Sequence, residues 1–412
     1  MRRGTIVYFY KRLFSGHFPH LLNRVVSQDL MKILADVNIL FAKEAFGQFG
    51  EVITVEGRDI TRERLKDIDA LLVRSVTPVN RDLLDGTSVK FVASATTGTD
   101  HVDLAYLRDS HRGFAHAPGS NANSVAEYVV AALLYCAEKR DTKLEGKTLG
   151  IVGVGDVGTR VLYLGRALGM RCLLNDPPKK ALSGSDLYLP LTAVLKESDV
   201  VTIHVPLTMK GPDATYRMVS AEFISSMKEG SFFVNTSRGD VLHEPSLISA
   251  RKRLGCVVLD VWNNEPEPDP GTIAVCDLAT PHIAGYSYDG KVSGTEMIYD
   301  AACAFFSHQR KWRPPSACDD DQPKQIALND EVDPLAKAVL KAYPILKDDS
   351  LFRKIVLLDA SRRGEYFGAV RSNYSRRLEF KNYAVAVGRK IPDSVKAALA
   401  NLGFAVTTEQ IG

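Results

Sequence analysis

The sequence predicts an α/β protein with two Rossmann-like or flavodoxin-like parallel-sheet domains and a C-terminal α+β domain. Three observations carry this. From Met31 onward, short and nearly continuous apolar runs alternate with helix-patterned stretches, as expected of strands covered by helices on both faces. A Gly-rich turn, Gly153-Val154-Gly155-Asp156-Val157-Gly158, follows one such run and opens a helical stretch. Arg313-Pro314-Pro315-Ser316 and the acidic run Asp319-Asp320-Asp321 then read as a linker, after which the composition changes.

The elements follow in order. Strands are predicted at Ile33–Ala35, Val52–Val55, Leu71–Arg74 and Phe91–Ala95, with helix-like spacing at Ala42–Phe49 and Arg62–Asp67. Ser124–Cys136 is strongly apolar and free of Gly and Pro, which predicts a long buried helix. A second series begins at Leu149–Val152 and continues at Arg171–Leu174, Val200–His204, Phe232–Asn235 and Val257–Asp260. A helix near Glu296–Phe306 returns the chain to the first domain. Beyond the linker, Asp333–Tyr343 and Ser394–Leu402 read as helices, the latter followed by the apolar run Phe404-Ala405-Val406, and Ile355–Leu358 and Tyr383–Val387 as strands. The resulting domains are 31–123 with 287–312, then 124–286, then 322–412. Residues 1–30, basic and sprinkled with aromatics, read as an extension arising from an upstream start, poorly ordered or extraneous to function; a transit peptide would look similar.

Composition narrows the function. A formal net charge of +3 over 412 residues is too small to argue for nucleic acid or a membrane surface. No apolar run approaches the roughly 20 residues that span a bilayer. Six scattered cysteines without a metal spacing favour buried thiols in the reducing cytoplasm over disulfides or zinc.

The Gly-rich turn lets backbone N–H groups approach a pyrophosphate at a helix N-terminus. Asp176, at the end of the next strand, is placed to accept the ribose hydroxyls. Its charge would repel a 2′-phosphate, so NAD is expected rather than NADP, although Lys179 and Lys180 stand close by. Further on, Arg238 follows a strand within Thr236-Ser237-Arg238-Gly239 and is suited to grip a carboxylate with two parallel hydrogen bonds. Glu265 and His282 supply a carboxylate to orient an imidazole, and such a pair can exchange a proton with a hydroxyl or carbonyl oxygen. His101, His116 and His204 lack an acidic partner in their local sequence.

These motifs, in this order, resemble the D-isomer-specific 2-hydroxyacid dehydrogenases, through Gly153, Gly155, Gly158, Asp176, Ser237-Arg238-Gly239, Asp260, Glu265 and Thr280-Pro281-His282. The resemblance implies hydride transfer to NAD with no metal. Arg238 would hold the substrate carboxylate, His282 would act as acid/base, and Glu265 would partner it. Cofactor contacts are implied for Gly153, Gly155, Asp156, Val157, Gly158, Asp176, Val205, Pro206, Thr236, Ser237, Arg238, Asp260 and Gly285. Val73–Thr77, Thr96–Asp103 and His282–Lys291 are similar to a member of that family acting on a 4-phosphorylated sugar acid. That likeness implies substrate contacts by Ser75, Thr96 and Tyr286, and a homodimer through the C-terminal domain. Arg74 or Lys291 is the expected phosphate partner, while Arg371, Arg376 and Arg377 read as solvated surface charge. Val205, Thr97 and His243 depart from the usual pattern at positions that leave the catalytic residues untouched.

Overall fold

The computed structural model describes residues 30–318, 322–329 and 331–408; the expectation for the N-terminal extension lies outside them. The chain forms two compact units, Met1–Ser120 with Gly290–Pro315 and Asn121–Asp289 with Ser316–Gly412.

In the first unit, β1 (Met31–Asp36), β2 (Gly50–Val55), β3 (Ala70–Val73), β4 (Phe91–Ser94) and β5 (Gly113–His116) form a parallel sheet ordered β2-β1-β3-β4-β5. Successive side chains leave opposite faces of a strand. Ile33, Leu72, Phe91 and Ala93 therefore pack on one side with Phe46 and Tyr299. Leu34, Leu71, Val73 and Val92 pack on the other with Leu84 and Phe114. The helix Tyr288–Phe305 supplies Tyr299, whose hydroxyl donates to Gln48 at 2.8 Å.

The second unit repeats the scheme with β6 (Thr148–Val152), β7 (Arg171–Asn175), β8 (Val200–Ile203), β9 (Phe232–Asn235), β10 (Cys256–Leu259) and β11 (Leu278–Ala279). The order is β11-β10-β9-β8-β6-β7, and each pair is parallel. The strand order reverses between β6 and β8. Ligands of open α/β sheets bind beyond the strand carboxyl ends at such a reversal.

The same unit contains the C-terminal module. Its strands β12 (Lys324–Leu328), β13 (Tyr383–Val387) and β14 (Ala405–Thr408) form a three-stranded parallel sheet. Ile326, Val339, Phe380 and Val385 join one continuous core with the helix Ala122–Lys139. That helix is buried on nearly every face because the central sheet and the C-terminal module both pack on it.

Two expectations need correction. Ile355–Leu358 is not a strand: Arg353–Leu357 is a 3₁₀ turn continuing the helix Ile345–Phe352. Of its apolar run only Ile355 enters the core, and Leu357 is 83% exposed. Nor are all six cysteines thiols, since Cys136 and Cys256 form a disulfide. Both are fully buried. Packing of the helix against β10 brings their Cα atoms to 6.2 Å, inside the range a bridge spans, and a separation of 120 residues gave no hint of it. Cys172, Cys276, Cys303 and Cys318 are free thiols.

Candidate active site

Every site residue expected in the second unit lies just past the carboxyl end of a strand of its six-stranded sheet. The Gly-rich turn follows β6, Asp176 follows β7, and Val205 and Pro206 follow β8. Thr236–Arg238 follow β9, Asp260 and Glu265 follow β10, and His282, Gly285 and Tyr286 follow β11. Ser75 and Thr96 follow β3 and β4 of the first unit. There Ser75 is exposed, and the Thr96 hydroxyl meets Ser94 Oγ at 2.8 Å and donates to Gly98 O at 3.1 Å.

The turn after β6 is tightly specified. Gly153 has φ +86°, and a Cβ there would stand 2.6 Å from His204 O. The helix Asp156–Ala167 starts directly behind it. Gly155 and Asp156 are exposed, and nothing lies within 4 Å of a Cβ built at Gly155. The turn therefore presents an open backbone surface at a helix N-terminus, which fits a dinucleotide pyrophosphate. Asp176 braces it, accepting from Val154 N at 2.8 Å and Lys179 N at 3.0 Å. The Lys179 ammonium is committed to Val154 O, and Lys180 pairs with Asp186 at 2.7 Å. Neither lysine is thus held out for a 2′-phosphate. We expect Gly153→Ala to unfold the turn and lower the melting temperature. Gly155→Ala should fold normally and lose NADH affinity by about tenfold or more. Fluorescence titration with NADH checks both.

His282 and Glu265 meet as expected: Nδ1 of the imidazole lies 2.7 Å from Glu265 Oε2. Glu265 Oε1 accepts from Trp262 N at 3.0 Å, and Trp262 Nε1 donates to Thr280 O at 2.9 Å, joining the two loops. Burial pushes the Glu265 carboxyl upward. The charge and hydrogen bond of His282, together with Arg371, outweigh this and leave it below its ordinary value. An anionic carboxylate fixes Nδ1 as the protonated ring nitrogen, which leaves Nε2 to act on a substrate.

Arg238 sits on the neighbouring loop, with Nη1 donating to Ser237 O at 2.8 Å. Gly239 brings that loop against the Glu265 loop, since a Cβ at 239 would lie 1.8 Å from Trp262 O. Only glycine permits that approach. Buried Glu244 then ties the loops together, accepting from Asn263 N at 2.9 Å and Thr272 Oγ1 at 3.0 Å.

Asp260 is enclosed beneath the His282 loop and is 1% exposed. Its Oδ1 accepts from Thr280 Oγ1 at 2.6 Å and Ile283 N at 2.8 Å, and its Oδ2 from Ala284 N at 2.8 Å. Burial raises the carboxyl to about 6, against His282 and these donors. Asp260→Ala would strand three buried donors, each costing roughly 1–3 kcal/mol. At about 2–4 °C per kcal/mol for a 150–250-residue domain, scanning calorimetry should show the melting temperature falling by at least about 5 °C.

Three further histidines are explained by packing. Burial pushes His204 down to about 3 and His101 down to about 4. They meet Thr202 Oγ1 at 2.9 Å and Ser94 Oγ at 3.0 Å, while His116 Nδ1 lies 3.1 Å from Thr97 O.

Arg371 and Arg377 overturn the solvated-charge expectation, whereas Arg376 is exposed as expected. Arg377 is 7% exposed, and its Nη2 donates to Ala284 O at 2.6 Å and Ser124 O at 3.2 Å. Arg371 Nη2 donates to Tyr286 Oη at 2.8 Å. Arg376 lies over the Tyr288 ring at 4.1 Å. Glu379 accepts from Ser124 Oγ at 2.8 Å, and Asp289 accepts from Glu379 N at 3.0 Å. The stretch Gly285–Asp289 thus serves the site at one end and seats the C-terminal module at the other. Sequence spacing carried no signal for these contacts, which span 85 to 255 residues.

Residues 129–284 match the family described as D-isomer specific 2-hydroxyacid dehydrogenase, NAD binding domain. An erythronate-4-phosphate dehydrogenase of Salinibacter ruber is 47% identical over 377 residues, covering 88% of this chain and 95% of that protein. One of Hahella chejuensis is 38% identical over 385 residues, covering 92% and 100%. Among solved structures, a D-lactate dehydrogenase from Aquifex aeolicus complexed with NAD and lactic acid superposes with a TM-score of 0.57 at 26% identity, covering 67% of this chain and 95% of its own. The chain belongs to the erythronate-4-phosphate dehydrogenases, within the D-isomer specific 2-hydroxyacid dehydrogenase family.

Proposed function

We propose that this chain oxidises 4-phospho-D-erythronate to 2-oxo-3-hydroxy-4-phosphobutanoate with NAD, a step toward pyridoxal 5′-phosphate. The observation that carries the reading is the 2.7 Å pairing of His282 with Glu265 on a loop abutting that of Arg238. NAD, when bound, supplies the hydride acceptor. Arg238 grips the C1 carboxylate and sets the orientation of C2. His282 Nε2 takes the C2 hydroxyl proton as the C2 hydride departs, and Glu265 stabilises the imidazolium that forms. In the reverse direction the imidazolium returns that proton to the 2-oxo oxygen. Ser75, Thr96 and Tyr286 contact the sugar acid; for the first two this rests on the family resemblance alone. Cofactor contacts by Val157, Val205, Pro206, Thr236, Ser237 and Gly285 have the same basis, supported by their place beyond the strand ends.

The protein acts as a homodimer through its C-terminal module. Support comes from Leu346, Leu351, Val356 and Leu357, large apolar side chains left exposed within twelve residues of that module. Sedimentation equilibrium of the full chain should give twice the chain mass.

Absorbance of NADH, followed with 2-hydroxy acids carrying and lacking a 4-phosphate, tests the reaction. Preference for 4-phospho-D-erythronate is expected. Preference for 3-phosphoglycerate would move the chain to a neighbouring activity, and turnover of no acid would favour an NAD-sensing binding role.

A further inference from the structure

We propose that Arg371, carried by the C-terminal module, is a substrate-facing residue that takes the phosphate of the 4-phosphorylated acid beside the Tyr286 hydroxyl. This rests on the reaction proposed above and adds the element that makes it selective. Arg371 lies in the last turn of the helix Ala360–Ser372. Its guanidinium carbon is 5.3 Å from the centre of the Tyr286 ring, and its Nη2 donates to the Tyr286 hydroxyl at 2.8 Å. Tyr286 follows His282 by four residues in one loop, so the cation is delivered to the catalytic loop itself.

Its bonding is incomplete. Among the described residues Nη2 alone of its three nitrogens is hydrogen-bonded, Nε is enclosed without a partner, and no carboxylate forms an ion pair with it. A guanidinium left with donors to spare beside a substrate contact is suited to a dianionic phosphate monoester, which accepts charge-assisted bonds in a fork. Arg74 and Lys291, the cations expected from sequence, each already hold interactions of their own.

Neighbouring groups keep the arrangement in place. The Tyr374 ring meets Tyr286 edge-on at 6.1 Å, and its hydroxyl donates to Asp348 at 2.7 Å. Asp348 also accepts from Tyr343 at 2.9 Å. Arg371 further helps hold the Glu265 carboxyl below its ordinary value. Arg371 and the Glu265–His282 pair are therefore electrostatic neighbours.

The test compares kcat/KM of the full-length protein for 4-phospho-D-erythronate and D-erythronate. Arg371→Met should cost the phosphorylated acid at least about tenfold more than the unphosphorylated one, the size expected for losing a charge-assisted hydrogen bond. The excess should appear in KM. Arg371→Lys, which keeps the charge without the fork, should recover part of the difference, and it decides the matter by the same ratio if the methionine variant does not fold. Equal losses on both acids would overturn the proposal. Equilibrium binding of inorganic phosphate to the NAD-loaded protein judges Arg371 independently of turnover. Affinity about tenfold weaker in the variant supports the assignment, and unchanged affinity defeats it. A wild-type protein that oxidises neither acid sinks the reaction, while the phosphate measurement still decides Arg371.

Discussion

His282→Asn is expected to lower kcat by ~10²–10⁴, the range general acid–base catalysis contributes, while leaving NADH affinity near that of the wild type. Asparagine is the informative replacement because residue 282 has φ +57°, a left-handed conformation that asparagine tolerates better than most residues. The loop held by Asp260 should therefore survive, and the loss reads out chemistry rather than misfolding. Because proton transfer belongs to the transition state, kcat and kcat/KM should fall together. Glu265→Gln removes the charge that stabilises the imidazolium but keeps an acceptor near Nδ1, so its loss should be smaller. The double variant should be little worse than His282→Asn, since residues that act as one unit are strongly non-additive. Single-turnover absorbance of NADH measures all three. A loss under tenfold for His282→Asn, or additive losses in the double variant, would remove the imidazole from the proton path.

Much of this site was readable in the chain because its pieces are local. Each central strand is a short run buried on both faces, such as Leu149–Val152 or Phe232–Asn235, and such runs announce themselves by apolarity alone. The residues that follow each run were then fixed at the sheet's carboxyl edge by topology. Hence Gly153, Asp176, Arg238, Glu265 and His282 all emerged in register. The strands that escaped notice are marginal ones: β5 begins on Gly113, β11 has two residues, and β12 alternates exposed and buried positions late in its run.

What sequence could not show is side-chain traffic across long separations. Asp260 is expected as a cofactor contact, and its position in the sequence gave no sign that its carboxylate also accepts from three donors of the His282 loop. Arg371 and Arg377 looked like surface charge because they lie in one basic stretch, Arg371 in the last turn of the helix Ala360–Ser372 and Arg377 beyond its end. Their partners, Tyr286, Ala284 and Ser124, stand 85 to 253 residues away. The same holds for Cys136 and Cys256, which only the packing of a helix on a strand could pair.

Arg238→Ala should raise KM for the hydroxy acid by ~10–100-fold, the loss of charge-assisted bonds worth about 1.5–3 kcal/mol, and should lower kcat as well. The second effect follows from geometry: a carboxylate gripped by two parallel hydrogen bonds fixes the rotation of C2 relative to His282 Nε2, and relaxing it takes the reacting atoms out of near-attack distance. Arg238→Lys separates charge from shape. An ammonium restores attraction but presents no planar fork, so it should recover part of KM and little of kcat. The loop should keep its fold in either variant, because Gly239 and Asn235 hold it through the backbone: Gly239 packs on Trp262 O, and Asn235 Nδ2 donates to Arg238 O at 3.1 Å. Steady-state rates at saturating NAD give both constants. His282→Asn is expected to spare KM whereas the Arg238 variants raise it, so the two sets together distinguish a proton carrier from a carboxylate clamp. A lysine variant matching the wild type in both constants would show that residue 238 contributes charge alone, and the orienting role would have to pass to another donor on the same sheet edge.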